Sequence, residues 1–252
     1  MTTATRPSLR QTARLAFGRG SYRPHLAVTT APPVAVPTGL LIRQQSRTGR
    51  GLKRGGDIAF SLAVLGLGAP VLLLLAALVK LSSPGPVFYV QRRVGRDYNR
   101  FGCIKFRTMR ADADAVLARV LKEDPGLRSE FERDFKLRRD PRITWVGQFL
   151  RRSSLDELPQ FLNVLRGEMS VVGPRPIVDK ELTRYGEYMD EVAAVRPGLT
   201  GLWQVSGRNN LSYKKRVKLD LAYARGRSFS LDLAIILRTF GVLLLPMDRG
   251  AY

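Results

Sequence analysis

A run of 22 uncharged residues between Asp57 and Lys80, IAFSLAVLGLGAPVLLLLAALV, constrains the fold more than any other feature of this chain. A helix of about 20 residues reaches across a bilayer core, so the run is long enough to span one. Its interior argues for a different path. Pro70, preceded by Gly66, Gly68 and Ala69, removes a backbone hydrogen bond and crowds the preceding turn. The arms on either side, residues 58–69 and 70–79, would be roughly 18 and 15 Å long, each about half of a ~30 Å hydrocarbon core. Both flanks are basic, with Arg43, Arg47, Arg50, Lys53 and Arg54 before the run and Lys80, Arg92, Arg93 and Arg96 after it. Positive charge marks the cytoplasmic side of a span, and here it marks both ends. The expectation is a re-entrant helix over residues 58–79 that enters one leaflet and returns, with a straight span or a buried soluble helix as alternatives.

The charge of the whole chain, +21, is unevenly spread. Residues 1–56 hold ten basic residues, no acid and five prolines. That is the composition of a disordered basic tail, placed at residues 1–52 with the folded domain at 53–252, and an organelle transit peptide would share it. The remainder still carries +11, so the partner is anionic: nucleic acid, an anionic lipid surface or a phosphorylated substrate. A single His, His25, and a single Cys, Cys103, exclude a Ser-His-Asp triad, a Cys-His pair, a multi-His zinc site and an internal disulfide. Chemistry must therefore run on carboxylates, Arg, Lys, Tyr or Ser. Neither a GxxxxGK[ST] loop nor a GxGxxG fingerprint occurs.

Downstream, two β-branched and aromatic runs flank the loop in VFYVQRRVGRDYNRFGCIKFRTM and predict a β-hairpin. Helices are expected over residues 110–121, over a charged stretch to about 138, over the leucines 155, 158, 162 and 165 with Gly167 as the stop, and over 179–195. Pro197, Gly198, Gly201 and Gly207 predict irregular chain over 196–208. A basic helix over 213–225 and an apolar one over 229–245, interrupted by Asp232 and Arg238 and suited to an interface, follow. The fold class is α+β, mostly helical: a re-entrant membrane helix, a small β-hairpin and amphipathic interfacial helices.

Ser154-Leu155-Asp156-Glu157 has the pattern of a capping box, with Ser154 as the cap and Glu157 reciprocating. Arg151 and Arg152 just upstream give a second reading, because a carboxylate at a helix N-terminus beside arginines is placed to attack phosphorus while those cations hold the phosphoryl oxygens. Adjacent carboxylates are poorly placed for glycoside hydrolysis. Asp112-Ala113-Asp114 has the acid-x-acid pattern that can bind a nucleotide-linked metal, but charges in a helix's first turn explain it better. Arg175, between Pro174 and Pro176, is either a solvated turn residue or a preorganised phosphate clamp, and Lys105 and Arg107 share a strand face that is either solvated or a second phosphate contact.

The chain from about Lys53 onward resembles the bacterial sugar transferase family, the monotopic polyprenyl-phosphate phosphoglycosyl transferases of exopolysaccharide-initiating type. The resemblance is carried by KRGGDIAFSLAVLGLGAPVLLLLAALVKLSSPGPVFYVQRRVG, FGCIKFRTM, DPRITWVGQFLRRSSLDELPQFLNVLRGEMSVVGPRP and RPGLTGLWQVSGR. It implies transfer of a sugar-1-phosphate, with galactose or glucose suggested, from a UDP-sugar to undecaprenyl phosphate with release of UMP. Asp156 would be the nucleophile, forming a phosphosugar ester, and would also contact Mg²⁺; Glu157 would complete the dyad. Arg151, Arg175, Lys105 and Arg107 would hold substrate phosphates. It further implies a compact member on the cytoplasmic face of the bacterial inner membrane, with the inner leaflet rather than nucleic acid as partner, and it leaves a homodimer open. Where the family's helix break is often Ser-Pro, this chain has Ala69-Pro70, so the freed carbonyls need another partner. The competing reading, a non-enzymatic basic adaptor for membrane or nucleic acid, rests on charge alone.

Overall fold

The computed structural model describes residues 47–134, 137 and 139–244; residues 1–46, which hold most of the expected tail, lie outside the described residues. Helix α1 (Arg47–Leu67) begins six residues ahead of Lys53 and runs into the apolar segment. Helix α2 (Ala69–Ser82) continues it after a bend of 64°. No single helix among the described residues is long and apolar enough to cross a membrane, whereas the bent pair reaches that length and composition together. The break falls at Gly68, one residue before α2, so Pro70 sits in the first turn of a new helix where its missing N–H is not needed. The Gly68 N–H donates to Val64 O at 2.9 Å, and a Cβ there would come within 2.4 Å of that carbonyl. Glycine at the bend thus supplies a donor and the room for it.

Strands β1 (Phe88–Val94) and β2 (Arg100–Phe106) form the expected antiparallel hairpin, with Tyr89 opposite Lys105 and Gln91 opposite Cys103. Helices α3 (Ala113–Glu123) and α4 (Pro125–Asp134) follow, then α5 (Trp145–Ser153), one 3₁₀ turn at Leu155–Glu157, and α6 (Gln160–Arg166), which Gly167 stops at φ 81°. Strand β3 (Ser170–Val172) leads into the Gly173-Pro174-Arg175-Pro176 loop.

Two expectations change here. Residues 179–195 are not one helix: Gly186, at φ 54° and ψ −132°, separates α7 (Leu182–Tyr185) from α8 (Met189–Ala193), each entered through a 3₁₀ turn. The 196–208 stretch is not wholly irregular, since β4 (Gly198–Thr200) pairs in parallel with β3 and α9 (Leu202–Val205) follows. Glycine and proline mark turns in a lone chain, but here Gly198 lets β4 lie backbone to backbone on Gly173; a Cβ at Gly198 would meet the Gly173 nitrogen at 2.0 Å. Helices α10 (Tyr213–Gly226) and α11 (Phe229–Leu244) close the described chain.

The main core joins Phe101 and Cys103 of the hairpin to Phe161 and Val164 of α6, Val171 and Val172 of β3, Tyr223 of α10 and Ile235 of α11, with Phe60 and Val64 of α1 packed on it. A second cluster sets Leu75 and Val79 of α2 against Phe106, Val146 and Leu150. The proximal part of α1 is therefore built into the domain. Apolar side chains remain outside on α1 and α2 (Leu62, Leu67, Leu73, Leu74), on α5 (Trp145, Phe149) and along one stripe of α11 (Phe229, Leu233, Leu237, Phe240).

Candidate active site

The capping box is not formed. Ser154 ends α5 in the left-handed region at φ 59°, its N–H donating to the carbonyls of Leu150 and Arg151, and its hydroxyl caps nothing. Asp156 and Glu157 therefore stand on a single 3₁₀ turn between two helices, not at a regular helix N-terminus. This turn packs against β2, where strand alternation places Lys105 on the face shared with Cys103 and Arg93.

Lys105 Nζ and Glu157 Oε1 are 2.6 Å apart in a partly buried ion pair. Burial alone would raise the Glu157 pKa; the charges of Lys105 and Arg175, the Lys105 hydrogen bond and Arg93 outweigh it and hold the group below its usual value. Asp156 moves the opposite way, to about 6, first through burial and then through the neighbouring Glu157 charge, against the pull of Lys105 and Arg151. Adjacent carboxylates are thereby separated: one is locked as an anion in an ion pair, and the other makes no ion pair among the described residues.

A small cleft opens over Glu157, bounded by Arg93, Lys105, Gln160, Arg175, Leu199 and Gln204 among others. Arg175 is exposed, its guanidinium 5.7 Å from the Trp203 ring, on a loop pinned by Gly198 N–H to Pro174 O at 2.8 Å and Gly173 N–H to Thr200 O at 2.9 Å. Arg151 flanks the turn, its Nε donating to Thr108 Oγ1 at 2.9 Å and its charge facing Asp156 and Asp140. Preorganised cations around one uncoupled carboxylate suit capture of a phosphoryl group and attack on it.

Residues 48–246 match the model of the bacterial sugar transferase family. The chain belongs to that family. Among similar members, a UDP-galactose-lipid carrier transferase from Erwinia amylovora is 48% identical over 81% of this chain and 42% of its own length. An undecaprenyl-phosphate galactose phosphotransferase from Salmonella typhimurium is 46% identical over 84% of this chain and 45% of its own. The chain thus spans less than half of these two relatives, whereas it covers 88% of the exopolysaccharide production protein ExoY from Rhizobium meliloti, at 47% identity over 79% of this chain.

Of the sugar transferase residues expected from sequence, the structure gathers Asp156, Glu157, Lys105, Arg151 and Arg175 around one turn and cleft. Arg107 is not among them. It lies beyond the end of β2, buried, with Nη1 and Nη2 donating to the carbonyls of Pro84 and Ser83 at 2.9 and 2.6 Å, and so closes the chain after α2. Asp112 pairs locally with Arg110 and takes no part. The cleft also takes in Arg93, which hairpin register places on the face of Lys105, and Gln204, which lies in the RPGLTGLWQVSGR stretch without standing out there by residue chemistry.

Proposed function

We propose that this sugar transferase moves a sugar-1-phosphate from a UDP-hexose to undecaprenyl phosphate through an ester on Asp156. A carboxylate oxygen of Asp156 attacks the sugar-linked phosphorus, the bond to the bridging oxygen breaks, and UMP leaves with the electron pair. An oxygen of undecaprenyl phosphate then attacks the same phosphorus, and the bond to Asp156 breaks, restoring the carboxylate. Lys105, Arg151 and Arg175 hold the phosphoryl oxygens as charge shifts among them. Glu157, fixed by Lys105, keeps that lysine oriented, and its charge opposes proton loss from Asp156. The observation that carries this reading is the division of the dyad: Glu157 is ion-paired with Lys105 at 2.6 Å, while Asp156 makes no ion pair among the described residues and lies near the cations. Relatives named for transfer of galactose or glucose phosphate to undecaprenyl phosphate support the substrate classes.

Among the described residues no group of three or more His, Cys, Asp or Glu side chains converges. A Mg²⁺ would be held by Asp156 together with substrate phosphates, since this ion commonly takes one or two carboxylates and completes its shell from phosphate and water. When bound, it would neutralise phosphate charge. The bent α1–α2 pair and the exposed apolar side chains of α5 and α11 support a re-entrant anchor with the cleft at the cytoplasmic face of the inner membrane.

Purified protein given UDP-galactose or UDP-glucose, Mg²⁺ and undecaprenyl phosphate is expected to release UMP, and a trapped protein should gain the mass of a hexose phosphate on Asp156. Release by Asp156→Asn at the wild-type rate would sink the mechanism. Labelling of single cysteines in residues 1–46 from outside intact cells, with Cys103 replaced, would refute the re-entrant path.

A further inference from the structure

We infer that Gln204 is a substrate-contacting residue, its side-chain amide accepting a hydrogen bond from a hydroxyl of the transferred sugar. The inference rests on the reaction proposed above. Gln204 lines the cleft that also holds Lys105, Glu157 and Arg175, and its Oε1 is buried without a hydrogen-bond partner. A buried acceptor left unpaired is disfavoured, and such groups are rare enough in folded proteins that each one asks for a partner.

Gln204 stands on a short helix packed beside the Arg175 loop. Its neighbour Trp203 is buried, with the guanidinium groups of Arg216 and Arg175 at 4.9 and 5.7 Å from the ring centre. The start of the helix is pressed onto the Arg175 loop: a Cβ on Gly201 would lie 2.3 Å from Gly173 O and 2.7 Å from Gln204 Oε1. The start of α9 and the Arg175 loop therefore lie against each other beside the cleft. The cations of the cleft serve the phosphoryl oxygens, which offer no donor when ionised. The sugar is bonded to the transferred phosphorus through both steps, carries several O–H donors, and stays after UMP has gone. A hydroxyl of the sugar is the donor that this acceptor meets.

The test compares wild type and Gln204→Leu on a UDP-hexose and its four singly deoxygenated analogues, with UMP as a product inhibitor. Wild type should lose about tenfold in kcat/KM on the analogue lacking the contacted hydroxyl, and Gln204→Leu should lose that preference while inhibition by UMP changes by less than about twofold. The thermal midpoint of Gln204→Leu should not fall, because an apolar group replaces an unpaired polar one; if that variant is insoluble, Gln204→Met takes its place. Equal discrimination in both proteins overturns the inference, as does a tenfold weakening of UMP inhibition, which would move the contact to the uracil ring. Failure of the underlying reaction looks different: wild type itself would then release no UMP from any UDP-hexose.

Discussion

Two polar clusters, one joining α1 to β3 and one around the cleft, are completed to different degrees. At the base of α1, Lys53 Nζ donates to Asp232 Oδ2 at 2.7 Å and to Val172 O at 3.2 Å, and the single Tyr223 O–H proton is shared between Asp232 Oδ1 and Val172 O. Asp57 accepts from Ser170 Oγ at 2.8 Å and from the Val171 N–H at 3.1 Å. Each oxygen of both carboxylates has a donor. At the cleft and its flanking turn, Asp156 makes no ion pair, and Arg93 Nε and Gln204 Oε1 are buried without partners among the described residues. The first cluster fastens the bent helix to the domain and has nothing left to bind. The second keeps charge and hydrogen-bonding capacity in reserve, which a transient phosphorylated substrate can complete.

The difference is broken most sharply by exchanging one residue in each. Asp156→Asn should lower UMP release by at least about 10³-fold, since the nucleophile is gone, without lowering stability. The raised pKa of Asp156 contributes stability that is present below the ordinary carboxylate pKa and lost as pH climbs through about 6. The Asn variant escapes that loss, so its thermal midpoint should gain on wild type between pH 5 and pH 8. Lys53→Met should do the reverse. It leaves Asp232 buried opposite no cation, at about 3 kcal/mol or roughly a hundredfold in the folding equilibrium, while turnover per folded molecule stays near wild type. Denaturant melts paired with active-site titration separate the two; a Lys53→Met protein that is stable but inactive would erase the distinction between the clusters.

Much of this was legible in the sequence, for reasons that differ by element. The apolar run and Pro70 predicted a bend because helix chemistry is local, and the hairpin followed from two β-branched and aromatic runs flanking a turn-prone loop. The dyad was legible as a pair of acids but not as a divided pair: the Lys105 contact that separates them joins residues 52 apart. Arg107 was misread because its fate depends on the Ser83 and Pro84 carbonyls, which a strand pattern does not reveal. Gly198 and Gly201 read as breakers, whereas their role is to let β4 and α9 lie against Gly173, a close approach that exists only once the chain has folded.

Within the cleft, Arg175→Lys tests whether geometry or charge matters. Lysine keeps the positive charge but not the planar fork, so kcat/KM should fall about 10- to 30-fold with stability unchanged. A loss shared equally between kcat and KM would place Arg175 on the phosphate in the ground state as well as in transfer, whereas a pure kcat loss would confine it to the transition state. Wild-type kinetics from the lysine variant would reduce Arg175 to a solvated turn residue.

The smallest effect is the most diagnostic of how the dyad is divided. Activity requires ionised Asp156, so kcat/KM for the wild type should rise with pH and level off above about 6. Two causes raise that value, burial first and the Glu157 charge second. Glu157→Gln removes the second and leaves the first, with the side chain still able to meet Lys105. The acidic limb should therefore move to lower pH, gaining less than about tenfold at pH 5 even if the plateau falls. A limb that stays near 6 would assign the whole shift to burial, and the two carboxylates would then be neighbours in sequence without being electrostatic partners. A limb that moves down shows instead that the cleft sets its nucleophile by tying up the adjacent acid, the same incompleteness that distinguishes it from the fully bonded cluster beneath α1.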